Sequence, residues 1–474
     1  MASLAQPAPR RRFGGRVRPF AGGIHPLGLV LAAVVVAAGS FAIALLGASG
    51  GDASRPAAAA PAASAARLAP PDGPAIGVDP DIARLDRAIG VWTANLQDDR
   101  ADFVSAGNLA LDEYTRGRLT GSLDDYDRAR QATELALAVY PADTAARSMR
   151  AVLLATLHDF AAALREAGAV YDADRSQLQA LATVGDAQLE LGQYDAAAAT
   201  YAALQARAPG AAVTARLAHL AQLQGRDADA SALARRAVAE ATAEGSAGPA
   251  LAWYDTLDGS VAFQAGDLAA ASGAFAAALT AWPTSYAALA GEARTRAAQG
   301  RFDEAIALYR RAVAIVPQPE TLAALGDLYQ LTGRAALARQ QYDTVRAIAT
   351  LGAVQRQVYD RALALFDADH GVQAAEALRL ATAELAVRRD VYGWDAYAWA
   401  LLANGRAAEA DAAMTHALAP GTRDALLDYH AGMIAAALGD AGRARRLLSA
   451  ALTLNPGFSP LQAARARTTL AALR

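Results

Sequence analysis

The chain has 474 residues, 54% of them hydrophobic and only 6% aromatic, with no cysteine and a net charge of −3. The missing thiols exclude a disulfide framework, a thiolate metal site and a cysteine nucleophile. All 44 basic residues are arginine, and five of them precede residue 26, where no acid occurs, so the remainder is acidic by 8; such a body attracts phosphate backbones weakly and argues against a nucleic-acid partner.

Residues 1–25 read as a basic, disordered cytoplasmic tail: Arg10, Arg11, Arg12, Arg16 and Arg18 stand among scattered proline and glycine with no periodic apolar pattern. Residues 27–46 then run without a charge. At about 1.5 Å per residue such a helix reaches roughly 30 Å, the thickness of a bilayer core. A transmembrane signal-anchor helix is therefore expected at 26–47, with the arginine-rich side in the cytoplasm and the bulk of the chain beyond the membrane. The alternative is a cleaved signal peptide that releases a secreted body, although the apolar regions of signal peptides are shorter, about 7–15 residues. Residues 48–80, rich in alanine, proline, glycine and serine, read as a semi-rigid, extended linker.

An amphipathic helix is predicted over 82–96, and an irregular helix pair over 103–141 with Gly107 on its first helix. From there one register restarts near 144, 178, 211, 252, 286, 319, 357, 391 and 425, the longest step following a surface insertion at 243–249. In the unit beginning at 319, Leu322, Leu325, Gly326 and Tyr329 are followed by Gly333, Ala338 and Tyr342. The same offsets hold Gly185, Gly192, Ala197, Tyr201 and Pro209, then Gly259, Gly266, Ala271, Phe275 and Pro283, and again Gly432, Gly439, Ala444, Leu448 and Pro456. Each offset has a reason. The first glycine and the alanine let two antiparallel helices approach, and the ring or leucine fills the space beside them. The second glycine takes the left-handed conformation that stops a helix. The proline cannot continue the second helix. Asp195 and Asp303 are placed to N-cap second helices. Ser459 and Pro460 start a capping helix over 459–474, with Leu461, Leu470 and Leu473 covering the last unit and Gln462, Arg465, Arg467 and Thr468 facing water.

These offsets resemble the tetratricopeptide repeat, a helix–turn–helix unit of about 34 residues. The resemblance implies an all-α fold, a right-handed superhelical solenoid of antiparallel helix pairs, with about ten repeats over 81–458 preceded by one transmembrane helix. An Ala/Arg-rich, Lys-free composition points to a GC-rich bacterial genome, so the chain resembles the membrane-anchored bacterial type of this family. Asp255 and Asp428 depart from the pattern, since a large apolar residue usually stands there.

Motifs for chemistry are missing: no phosphate-binding glycine loop, no nucleophile elbow, no H-E-x-x-H and no EF-hand loop. The six histidines show no i, i+3 or i+4 pairing, and His158 and His370 fall at inter-helix turns where a polar cap is the ordinary role. Asp98, Asp99 and Asp102 read as a solvated loop, and Asp124, Asp125 and Asp127 as acids that favour a helix N-terminus. No catalytic residue, cofactor or metal is expected, and no small-molecule substrate.

In proteins that this sequence resembles, the first helices of successive repeats line a concave groove that binds peptides or proteins. Carrying positions 2, 5, 9 and 12 of each unit onto this sequence gives Trp253, Thr256, Ser260 and Phe263 in one unit, Tyr392, Asp395, Trp399 and Leu402 in another, and Leu426, Tyr429 and Met433 in the last. Trp253, Phe263, Tyr392, Asp395, Trp399 and Tyr429 are the candidate partner-binding residues, because rings dominate binding hot spots; the other reading is that they pack between repeats. Trp399 is expected to be partly exposed, with Tyr392 and Tyr429 near it and Asp395 at the edge of the patch, whereas Trp394 and Tyr397 are assigned to packing. The expected function is a non-enzymatic protein–protein interaction scaffold, held at the cell membrane by its single N-terminal helix. The alternative is an accessory or recruitment subunit of a cell-envelope enzyme or assembly complex.

Overall fold

A computed structural model describes residues 79–349 and 353–473. The tail, the uncharged run at 27–46 and nearly all of the linker lie outside the described residues. Among the described residues there are 22 helices, no strand, and no helix long and apolar enough to cross a membrane.

The first helix is α1 (Pro80–Asp98). Ten antiparallel pairs follow, beginning with α2 (Phe103–Thr120) and α3 (Leu123–Val139), α4 (Thr144–Thr156) and α5 (Phe160–Ala173), and α6 (Leu178–Glu190) and α7 (Tyr194–Arg207). Next come α8 (Ala211–Leu223) and α9 (Asp227–Ala243), α10 (Gly248–Gln264) and α11 (Leu268–Ala281), and α12 (Tyr286–Ala298) and α13 (Phe302–Ile315). The series closes with α14 (Pro319–Leu331) and α15 (Ala335–Ala349), α16 (Ala353–His370) and α17 (Ala374–Val387), α18 (Val391–Ala403) and α19 (Ala407–Leu418), and α20 (Ala425–Ala437) and α21 (Ala441–Leu454). A last helix, α22 (Pro460–Ala472), follows.

Small-against-large packing sets each pair. A Cβ built on Gly259 would lie 2.7 Å from the Phe275 ring, and one on Gly432 would lie 2.8 Å from Leu448. Gly185 and Gly326 stand in the same way against the rings of Tyr201 and Tyr342. The alanines opposite, Ala197, Ala271, Ala338 and Ala444, are buried. Within a pair the turn needs a left-handed residue: Gly333 has φ +76° and Gly439 has φ +78°. His158 fills that position after α4 at φ 63° and stacks on Phe160 at 5.3 Å.

Two local expectations are corrected. Asp195 and Asp303 are not N-caps, because α7 and α13 start one residue before them; both acids sit in the first turn, where they still favour the helix dipole. Ser122, Asp159, Asp267 and Asp440 are the side chains that cap second helices. In α22, Ser459 and Pro460 begin the helix and Arg465, Arg467 and Thr468 are exposed, but Gln462 is buried because its Nε2 donates to Asp369 Oδ1 at 2.6 Å.

The pairs stack into a superhelix that returns over itself after about two hundred residues. Arg389 N donates to Glu190 O at 3.0 Å, and Val391 N to the Tyr194 hydroxyl at 2.9 Å. Thr422 Oγ1 donates to Leu223 O, and Asn455 Nδ2 to Phe263 O at 3.5 Å. Three of these contacts bring a donor from the loop joining two pairs to a carbonyl at the end of a first helix one superhelical turn earlier, where a helix leaves its last carbonyls unsatisfied, and the fourth meets the Tyr194 side chain at the start of α7. Glycines allow the approach: a Cβ on Gly192 would lie 2.5 Å from Arg389 O, and Gly225 and Gly266 face Gly421 O and Leu454 O. Apolar side chains join the two turns as well, Leu189, Leu220 and Leu223 sharing one buried cluster with Val391, Leu401, Leu427 and Ile434.

Candidate functional site

The return of the chain decides which concave residues remain open. Trp399 is only 7% exposed. Its ring stacks on His430 at 4.1 Å, and its Nε1 donates to Asp369 Oδ1 at 2.9 Å. The expectation of a partly exposed Trp399 is therefore corrected: α20 packs a histidine against one face, and α16 and α22 fill the space at its polar edge. Tyr429, 5.6 Å from Trp399, is fully buried and also faces Phe458. Asp395 does not form a rim but is buried against His430, whose Nδ1 lies 2.9 and 3.0 Å from its two carboxylate oxygens. Although burial opposes charge, Asp395 raises the His430 pKa above its usual value.

The other candidates lie elsewhere. The Tyr392 hydroxyl, instead of joining Trp399, reaches Gln264 Oε1 and Asp424 Oδ2, each at 3.3 Å. Phe263 is buried beneath the Arg294 guanidinium, 3.9 Å from its ring centre. Trp253 is half-buried and meets Tyr254 edge-on at 4.9 Å. The structure thus brings Trp399, Tyr429 and Asp395 together in a closed core, turns the Tyr392 hydroxyl toward Gln264 and Asp424, and leaves Phe263 and Trp253 in other clusters. Trp394 and Tyr397 pack between repeats, Trp394 stacked on His416 at 4.2 Å.

Charged residues missed by the sequence reading are also buried. Arg388 binds Glu190 across the two superhelical turns, and Arg361 holds Glu384 at 2.9 Å and Asp390 at 2.7 Å. Burial pushes Glu190 up to about 8, with Arg388 opposing. Asp390 goes the other way: against the cost of burial, Arg361 and Arg388 hold it below its usual value. Arg216 makes a buried, two-point pair with Asp186 at 2.8 and 2.9 Å. Asp125, read as a helix-start acid, is fully buried with Arg116 at 2.6 Å and Thr120 at 2.9 Å. These charged groups pair with one another inside the fold and tie its helices together. Among the described residues, no three His, Cys, Asp or Glu side chains converge as metal ligands would. His370 caps its turn, its ring nitrogens 2.7 Å from Phe366 O and 2.8 Å from Asp327 Oδ1.

An open concave surface exists at the first repeats. A pocket of about 470 Å³ is lined by Phe103, Val104, Leu111 and Tyr114 of α2 and Met149 and Val152 of α4, with Gln177 and Gln179 at its α6 end. That volume is within the range of ligand-binding clefts, about 300–1,000 Å³. Val104 is 57% exposed, and a Cβ on Gly107 would meet nothing within 4 Å. Asn108 and Ser148 add polar groups to a mainly apolar wall. Positions 2, 5, 9 and 12 of the unit starting at 103 are Val104, Gly107, Leu111 and Tyr114, so the groove offsets do find this surface. In the sequence its register is obscured by the irregular connection after α2.

Residues 262–328 match the family model described as tetratricopeptide repeat. No curated protein matches the chain. Among solved structures, the chain is similar to the APC/C hetero-tetramer Cut9–Hcn1 at 15% identity, covering 82% of this chain and 93% of that one, with a TM-score of 0.31. It is similar to PilW, a widely conserved type IV pilus biogenesis factor, at 18% identity, covering 45% and 97%, with a TM-score of 0.37. The human IFIT1 dimer with PPP-AAAA aligns at 14% identity over 78% and 87%, with a TM-score of 0.44.

Proposed function

We propose that this chain is a non-enzymatic interaction scaffold whose first repeats hold an extended peptide or protein segment in the concave groove of α2, α4 and α6. The observation that carries this reading is the open, mainly apolar pocket of about 470 Å³ on those helices. Its occupant presents two or three apolar side chains to Phe103, Leu111, Met149 and Val152 and backbone groups to the amides of Asn108, Gln177 and Gln179. The matched repeat is in general a non-catalytic interaction module, which supports a scaffold over an enzyme. The partner-binding role expected of Trp399 and Tyr429 passes to this surface, because a ring without access to solvent cannot capture a segment. The uncharged run at 27–46 and the arginines before it support a membrane anchor that displays the repeats outside the cytoplasm.

Gly107→Trp tests the groove. A Cβ at this position meets nothing within 4 Å and Gly107 lines the pocket, so the indole is expected to occupy it. Partner capture by a photocrosslinker at Val104 is expected to fall about tenfold or more, as loss of a hot spot worth ~2 kcal/mol does, while helical circular dichroism stays unchanged. Undiminished capture from Val104 in the Gly107→Trp chain overturns the site.

A further inference from the structure

The contact between superhelical turns uses two unlike edges. One edge consists of the turns within pairs, which end the first helices; the other consists of the loops between pairs. Inside the chain these edges dock repeatedly. The loop after α17 meets the end of α6, the loop after α19 meets the end of α8, and the loop after α21 meets the end of α10. Where the contact is made, the last residues of the first helices are buried: Glu190 is 3% exposed and Leu223 is 1% exposed.

Both edges continue beyond this contact and are uncovered there. Among the described residues, the turns after α14, α18 and α20 end in solvent, with Leu331 40% and Leu438 43% exposed; after α16, Val372 is 43% exposed, although Arg465 of α22 donates to Asp369 O at the end of that helix. Leu331 takes the register position that Glu190 and Leu223 hold in the covered repeats. On the opposite edge, the loops after α1, α3, α5 and α7 are exposed at Arg100, Pro141, Arg175 and Pro209, and Tyr140 is 47% exposed. Three uncovered turns, with a fourth partly covered by α22, thus stand on one edge and four uncovered loops on the other. They are the same two kinds of surface that already recognise each other within the molecule.

We propose that these edges join between two copies of this chain, the α14–α20 turns of one receiving the α1–α7 loops of the next. A second copy is the occupant because it carries the matching loops, in the same order, with spacing close to that of the turns, and because the new contact continues an interface the fold already makes. In this register Val372 faces the α3–α4 loop at Tyr140 and Ala142, and Leu438 faces the α7–α8 loop at Pro209. Donors on the loops reach the terminal carbonyls of α14, α18 and α20, as Arg389 N and Thr422 Oγ1 reach those of α6 and α8. The two edges differ, so the contact is heterologous. Each addition leaves one free edge of each kind, and the association is open-ended rather than closing as a two-fold dimer.

The absence of cysteine makes the test direct. Full-length chains carrying Ala142→Cys and Val372→Cys, prepared separately in detergent, are mixed and oxidised; a disulfide forms only if the two Cα atoms come within about 7 Å. The expected result is an Ala142→Cys/Val372→Cys crosslink in about tenfold excess over a same-edge pair, Val372→Cys with Leu438→Cys. Sedimentation of the unmodified chain is expected to show species larger than dimers as concentration rises. Val372→Asp with Leu438→Asp, both at exposed positions, is expected to return it to monomer with unchanged circular dichroism. A chain that stays monomeric overturns the proposal. So does a Val372→Cys self-crosslink that dominates, since it would show a two-fold contact, and so does an association that the aspartate pair leaves intact.

Discussion

Gly326 lacks a side chain because Tyr342 occupies the place where one would go. The Tyr342 hydroxyl then donates to Asp327 Oδ1 at 2.8 Å, so the ring cannot move aside without losing a hydrogen bond. Gly326→Leu is expected to destabilise by about 1–3 kcal/mol, the usual cost of overpacking, measured as the shift in a chemical denaturation midpoint. Gly107 gives the opposite result within the same repeat family: its Cβ position is empty, and Gly107→Ala should stabilise α2 by up to about 1 kcal/mol through helix propensity alone. Equal responses at the two glycines would show that crossing geometry does not separate them. This level of the structure was legible in the sequence, because a glycine and a ring at a fixed offset state the helix crossing almost literally. Asp125, Glu190 and Arg388 were not legible, since a charged residue in a loop or at a helix start looks the same whether it meets water or another charge.

At the scale of elements, Trp399 shows what a repeat register conveys and what it omits. The register starts read near 391 and 425 coincide with the starts of α18 and α20, and those near 252 and 357 fall four residues inside α10 and α16. Periodicity places helix faces, and it places Trp399 on the concave one. It does not reveal that α16, α20 and α22 fill the concave side at that point, because α22 and Asp369 lie outside the repeat that contains Trp399. Trp399→Ala should therefore cost stability rather than partner capture. Loss of a buried tryptophan typically costs about 3–5 kcal/mol, and here it also removes the donor to Asp369 and the stacking face of His430. Hydrogen exchange is expected to speed up in α18, α20 and α22 and to stay unchanged in α2 and α4. Wild-type exchange throughout the C-terminal helices would contradict the closed core.

At the scale of the whole molecule, the contact between turns carries a pH dependence. Arg361 and Arg388 meet three acids, Glu190, Glu384 and Asp390, so the buried group has one negative charge in excess when all are ionised. Tyr194 and His219 also face it. Glu190 is raised to about 8 from an ordinary value of 4.5. The folded chain therefore holds this proton more tightly than the unfolded one. The associated stability is complete below about 4.5 and is lost as pH rises through about 8. His219, lowered to about 4 by burial, acts on the acid side, where stability is lost as pH falls from about 6.5. Glu190→Gln imitates the protonated carboxyl and is expected to flatten the fall in melting temperature between pH 6 and 9 while leaving the acid limb in place. A variant whose melting temperature falls as steeply as the parent's over that interval would assign the alkaline loss to another group. None of this can be read from periodicity, because the partners stand 198 residues apart and no repeat offset links them.

That separation has a consequence in time. In an ordinary solenoid each repeat completes its contacts when the next one arrives, after about 34 residues. Here the ends of α6, α8 and α10, at Glu190, Leu223 and Phe263, receive their last contacts from residues near 389, 422 and 455. At synthesis rates of about 5–20 residues per second, an interval of 198 residues lasts about 10–40 s. For that period the first superhelical turn is already helical yet still has an apolar, carbonyl-rich rim without its partner. The young chain therefore passes through a state in which aggregation, chaperones and proteases compete with its own unfinished half.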